Sequence, residues 1–212
     1  MDNTSVKGEL WREAVSWIKT IIFALIFAWL FTNFIIINAI VPTGSMMNTI
    51  RVNDRIIAFR LSYLFSEPER YDIIVFRPYD GGDLNVKRII GMPGDELKIV
   101  DWRVYVNGVA VREDFVQSAR GQSVPPAPFG NFPAPNHPGL GDYVTVPQDG
   151  GAPFITVPEG QFFVLGDYRD NSNDSRGGIG PRGGSLRTFV SQEQIRGKAI
   201  FRYFPGFKNL TR

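Results

Sequence analysis

Hydrophobic positions divide this chain into two regimes. From Ile21 to Ile40 every residue is apolar except Thr32, Asn33 and Asn38, and a helix of that length spans about 30 Å, the thickness of a bilayer's hydrocarbon core. The pattern predicts a transmembrane helix over residues 20–40. A short segment, residues 1–19, precedes it, with Trp11 and Trp17 placed where amphipathic rings suit a headgroup region. A cleavable signal peptide fits less well, because its apolar core runs about 7–15 residues and needs small residues at the cut. Here Ile35, Ile36, Ile37 and Ile40 are bulky. Lys7, Arg12 and Lys19 before the span are matched by Arg51, Arg55 and Arg60 after it, so basic residues do not orient it.

Beyond residue 41 the apolar runs shorten. Strands are predicted at 55–60, 72–77, 85–90, 97–100, 104–106, 109–111, 161–165 and 199–203, separated by turn residues. Asn107-Gly108 is a two-residue hairpin signal. The prediction is an all-β domain following one helix. Between Asp114 and Pro158 the composition shifts to Pro, Gly and Gln, which reads as loop or insertion rather than core.

Composition adds exclusions. At 212 residues, with 43% apolar and 13% aromatic content, the chain can form one domain plus an anchor. A net charge of +2 without a dense basic block excludes a nucleic-acid footprint. The absence of cysteine rules out thiolate metal sites, a cysteine nucleophile and disulfides. The single histidine, His137, leaves any serine/histidine triad one candidate base, set in a proline-rich stretch that positions it badly.

Candidate chemistry begins at Ser45, five residues past the apolar run. A serine hydroxyl needs a neighbour that removes its proton, and a lysine serves only when burial or a nearby cation keeps it neutral. Lys87, Lys98, Lys198 and Lys208 follow the span. Strand alternation puts Lys87 on one face with Asn85 and Ile89, and sends Arg88 to the other, toward solvent. Lys98, between Leu97 and Ile99, reads as an ordinary solvent-facing residue, and a strand lysine taken alone is ordinarily a surface residue. The loop from Gly166 to Arg176 follows an apolar strand, a common place for function. A calcium loop there fails on spacing: counted from Asp170, the sixth position is Ser175 and the twelfth Pro181, not glycine and glutamate.

Taken together, Thr43-Gly44-Ser45-Met46, Tyr71 through Phe76, Lys87 through Asp95 and Gly166 through Arg176 resemble, in order, the sequence boxes of bacterial type I signal peptidases. Gly197-Lys198-Ala199 resembles that family's last strand, so the likeness runs from the anchor to about residue 205. The resemblance implies a mainly β fold: an antiparallel β-sheet catalytic domain, residues 41–212, with a β/loop insertion at about 101–160 and one transmembrane helix ahead of it. It implies Ser45 as nucleophile, Lys87 as general base and Ser172 as the group orienting the lysine. Thr43, in place of the usual serine, joins the Ser45 N–H as oxyanion donor, and Asp174 and Arg176 support the loop. No cofactor or metal is implied. The implied substrates are preprotein signal peptides, cut after small residues of the Ala-x-Ala type. The implied place is the inner membrane, with residues 1–19 cytoplasmic, the catalytic domain on the extracytoplasmic side, the lipid bilayer as a partner, and room for transient contact with the secretion machinery. Asn48 departs from a usual proline and Tyr168 from a common asparagine.

Two other readings compete. A noncatalytic membrane-anchored β module binding exported proteins is disfavoured by the joint presence of Ser45, Lys87 and Ser172. A self-cleaving repressor is disfavoured by the membrane span. A further expectation is an apolar patch of Phe59, Leu61, Tyr63, Leu64 and Phe65 that either dips into lipid or packs as core.

Overall fold

The computed structural model describes residues 3–116, 131–133, 140, 143–177 and 188–211, without the side chains of 3–9. His137, with residues 117–130, 134–139 and 141–142 of the proline-rich stretch, lies outside the described residues.

Helix α1 runs Asn3–Leu30 and loosens into a π-helical turn, Phe31–Ile35. Two polar residues within the apolar run bond back to the helix, Thr32 Oγ1 to the Ala28 carbonyl at 2.8 Å and Asn33 Nδ2 to that of Trp29 at 2.8 Å, whereas Asn38 accepts the Tyr203 hydroxyl at 2.8 Å. The stretch Leu10–Ile35 is long and apolar enough to cross a membrane. The helix predicted to continue to residue 40 stops earlier. Residues Ile36–Ile40 form strand β1, pairing antiparallel with β2, Arg55–Phe59, in the register Ile36–Phe59 to Ile40–Arg55. Three consecutive β-branched isoleucines favour the extended chain, and a partner strand settles the choice.

The main sheet has eight strands. To β1 and β2 it adds β3 (Ile73–Phe76), β4 (Asn85–Gly91), β10 (Gln161–Leu165), β11 (Val190–Ser191), β12 (Ile195–Phe204) and β13 (Lys208–Asn209). Their order is β1-β2-β12-β3-β4-β10-β11, with β13 on β12. β3 is buried along its whole length, as its unbroken Ile-Ile-Val-Phe run requires of a strand covered on both faces.

A second, five-stranded sheet forms from β5 (Glu96–Val100), β6 (Arg103–Val106), β7 (Val109–Ala110), β8 (Val144–Thr145) and β9 (Phe154–Thr156). It begins a few residues before the expected insertion start near 101, because β5 pairs with β6 and β9 rather than with the main sheet. Asn107 and Gly108 turn the β6–β7 hairpin with φ of 52° and 79°. Asp101 and Trp102 do the same for β5–β6 at 47° and 71°, a turn that no Asn-Gly or Gly-Gly pair announces.

The expected apolar patch divides. Tyr63 is half-buried, packs against Ile74, Phe76 and Ile89, and donates its hydroxyl to Asp72 at 3.0 Å. Leu64 and Phe65 stand exposed on the short helix α2, Ser62–Phe65. That helix lies beside the anchor's exit, where the Arg60 N–H donates to the Ile35 carbonyl at 2.8 Å.

Candidate active site

Ser45 stands on a tight turn just past β1. The Met47 N–H bonds the Gly44 carbonyl, and those of Thr49 and Ile50 bond that of Met46. Val41, Met46 and Ile50 sink into the core with Ile56 and Ala58, so burial on both sides fixes the serine between them. Its carbonyl accepts the Tyr168 N–H at 2.9 Å. Asn48, at φ 90°, occupies a conformation closed to proline, whose ring holds φ near −65°. Its side chain donates to the Phe115 carbonyl at 3.0 Å.

Lys87 projects from the middle of β4, where Ile74 of β3 lies opposite. Its Nζ is 2.7 Å from Ser45 Oγ, and the two residues are only 3% and 7% exposed. Burial pushes the lysine below its ordinary range. Asp174 and Asp167 pull the other way, and Arg176 adds to the lowering. Lys87 makes no ion pair among the described residues; its second contact is the Val86 carbonyl at 3.3 Å. Thr43 is exposed, and neither its hydroxyl nor the Ser45 N–H is engaged by another described residue.

The loop after β10 closes over this pair. A Cβ on Gly166 would meet Ser172 Oγ at 2.2 Å and the Ser45 carbonyl oxygen at 2.5 Å, so only glycine fits. The Gly166 N–H donates to Asp174 at 3.1 Å. Asp174 and Arg176 form a buried two-contact ion pair at 2.8 and 2.9 Å, and Arg176 reaches the Arg169 carbonyl at 2.8 Å. Burial pushes the Asp174 carboxyl up, but the Arg176 charge and hydrogen bonds outweigh it and hold the group below the usual carboxylate range. Ser172 is close enough to Asp174 to help hold that carboxylate ionised. Its buried hydroxyl nevertheless makes no well-oriented hydrogen bond. The structure brings Ser45 and Lys87 together and places Ser172 against Gly166, without a bond from Ser172 to the lysine.

Arg88 corrects the expectation of a solvated side chain. It is buried, donates to both Asp167 oxygens at 2.8 and 2.6 Å and to the Tyr71 carbonyl at 2.9 Å, and lies 4.1 Å from the Phe115 ring centre. A carboxylate in bidentate geometry and a π face replace water around the guanidinium. Sequence pattern alone assigns neither Arg88 nor Asp167 a role. Together they tie the Gly166 loop to the lysine's strand. The available signal was one uncompensated charge in each of two boxes.

Beside the dyad a cleft of about 550 Å³ runs between Ala39–Pro42 and Val75, Leu84 and Val86, with Arg77 and the Gly81–Asp83 turn at one end. β1 is the edge strand of its sheet. Among the described residues no group of three His, Asp or Glu side chains could hold a metal.

Comparison with known proteins gives a consistent set of relatives. The model of the family described as signal peptidase, peptidase S26, matches residues 14–204. A probable signal peptidase I-2 of Synechocystis sp. is 33% identical over 88% of this chain and 72% of its own length. A signal peptidase I of Rickettsia typhi is 33% identical over 96% and 83%. The crystal structure of a signal peptidase I from Enterococcus faecalis aligns with 63% of this chain and 97% of its own at 29% identity, with a TM-score of 0.39.

Proposed function

The chain belongs to the signal peptidase family of S26 peptidases and is an enzyme of that family, and from that premise we propose that it is a serine/lysine endopeptidase that removes signal peptides from exported preproteins. The observation that carries this reading is the 2.7 Å approach of Lys87 Nζ to Ser45 Oγ in a site nearly closed to solvent.

In the proposed reaction the neutral Lys87 amine takes the proton of Ser45 Oγ as that oxygen attacks the scissile carbonyl carbon. The developing oxyanion accepts from the Ser45 N–H and the Thr43 hydroxyl, both unengaged by other described residues. The tetrahedral adduct expels the amine of the mature chain, which takes the proton from Lys87, and leaves an ester on Ser45. Water then attacks the ester, giving its proton to Lys87. The carboxylate of the signal peptide leaves as Oγ recovers a proton. Ser172, whose hydroxyl is buried without a well-oriented bond beside Gly166, acts as a positioning residue for the amine. Asp174 and Arg176 hold the loop that carries it.

The edge of β1 offers main-chain groups to an added substrate strand, and the adjoining cleft offers apolar walls to small side chains of the Ala-x-Ala type. The span at Leu10–Ile35 is the membrane anchor in this reading. Residues ahead of it are cytoplasmic, and residues 41–212, with the five-stranded sheet as insertion, lie on the extracytoplasmic side of the inner membrane. Leu64 and Phe65 touch the bilayer, and contact with the secretion machinery is transient. Cleavage of a preprotein in detergent by wild type, Ser45→Ala and Lys87→Ala tests the reading. Near-normal cleavage by either variant rejects it.

A further inference from the structure

The nucleophile turn faces a second cavity, which shares no described lining residue with the cleft. About 360 Å³ in volume, it is lined by Asn48 and Thr49 of that turn, by Arg88, Arg112 and Asp114, and by Lys208 and Thr211 near the chain's end. Its charges are unevenly answered. Arg88 is paired with Asp167 and Arg112 with Asp114. Lys208 meets no carboxylate among the described residues, and its ammonium donates only to the Asn48 and Thr49 carbonyls, at 3.4 and 3.3 Å. Burial, followed by the cations Arg202, Arg88 and Arg51, pushes Lys208 below its ordinary range, against the pull of Asp167. Among the described residues the lining thus holds one cation, Lys208, that no carboxylate answers and that an entering carboxylate would pair.

Strand register fixes where this cavity stands. Ile36 at the anchor's exit pairs with Phe59, which pairs on its other side with Lys198, whereas Ile40 pairs with Arg55, which pairs with Phe204. β13 folds back on Phe201 and Arg202. β13 thus stands level with Asn38 and Ala39 in the middle of β1; along β4, Val86 lines the cleft, Lys87 meets Ser45 and Arg88 lines the cavity, so the serine and lysine stand between the two. A signal peptide emerging from the bilayer presents residues before the cut to the cleft and residues after it to whatever lies beyond Ser45.

Resting on the peptidase reading above, we propose that this cavity is a subsite for the first residues of the mature chain, where Lys208 favours an acidic side chain two to four positions after the cut. An anionic lipid headgroup could also bind such a pocket, but Asn48, Thr49 and Arg88 give the cavity a wall in common with the Ser45 turn and the Lys87 strand, which favours the peptide.

The test uses the full chain in detergent and preproteins that differ only in carrying Asp, Ala or Lys at each of these positions in turn. Wild type is expected to prefer Asp over Lys by about fivefold in kcat/KM, as a partly exposed ion pair allows. The preference is expected to shrink in about 0.5 M salt, where the screening length falls to a few ångströms. Lys208→Arg keeps the preference and Lys208→Glu reverses it, a ratio that partial misfolding does not alter. Equal cleavage of all three substrates by wild type, or an unchanged order in Lys208→Glu, overturns this proposal alone. Failure to cleave even the Ala substrate overturns the peptidase reading and this one with it. Activity that follows phosphatidylglycerol content in vesicles through Lys208, with no effect of substrate charge, makes the cavity a lipid site and overturns the proposal. The wild-type charge series and its salt dependence decide the matter even if Lys208→Glu does not fold.

Discussion

Two lysines flank one isoleucine in the main sheet. Ile74 of β3 is paired with Lys87 of β4 on one side and with Lys198 of β12 on the other. Lys198 meets Asp72 at 2.7 Å, and that carboxylate is further held by Tyr63 and by the Glu69 N–H. Lys87 meets a serine and a carbonyl and is more deeply buried. Strand position does not distinguish the two. A direct carboxylate partner favours the ammonium form, whereas a dry site with only hydroxyl and carbonyl neighbours favours losing the proton. The same sheet row thus holds a structural cation and a candidate base.

Substitution should separate them most sharply. Lys87→Met is expected to lower kcat/KM by about a thousandfold or more, at the upper range for loss of a general base. Lys198→Met should change turnover per folded molecule by no more than a few fold. Equal losses in a preprotein assay would erase the distinction. Ser172→Ala should cost roughly ten- to a hundredfold in kcat, with KM nearly constant, as expected for a misplaced base. Its pH–rate profile should shift as well, which a purely structural role would not produce. Lys198→Met should cost about 1–3 kcal/mol of stability, because Asp72 loses its cation in a buried place; denaturant unfolding measures this.

The smallest effect concerns pH. Lys87 is lowered in the folded state, so between its folded pKa and the ordinary lysine value the unfolded chain binds the extra proton, and stability rises with pH across that window. Below the folded pKa this stabilisation is gone. Melting temperatures of wild type should therefore climb relative to Lys87→Met as pH rises through the window. The rising limb of activity should fall below the range of a free lysine. Parallel melting curves for the two proteins would contradict the assignment.

Sequence made parts of this legible and hid others for physical reasons. The Asn107-Gly108 hairpin could be read because its residues adopt positive φ at little cost, whereas the Asp101-Trp102 turn is imposed by the pairing around it. β1 reads as helix in the sequence because an apolar isoleucine run suits both a membrane span and a sheet edge, and only its pairing with β2 decides. Alternation put Lys87 and Arg88 on opposite faces but could not show that both are buried, since that depends on Asp167, which lies far along the chain. Ser45 and Lys87 were nominated by resemblance, and their approach depends on contacts among β4, the turn after β1 and the Gly166 loop.

The junction at Ile35 and Ile36 has a mechanical meaning. Because strand follows helix without slack and is laddered to β2 along its whole length, the distance from the apolar helix to Ser45 is set like the markings on a ruler. Adding one residue within 36–40 would invert which side chains face the sheet, while adding two would restore the facing and lift Ser45 by about 7 Å. The height of Ser45 above the end of the apolar helix is written in the length of a single edge strand.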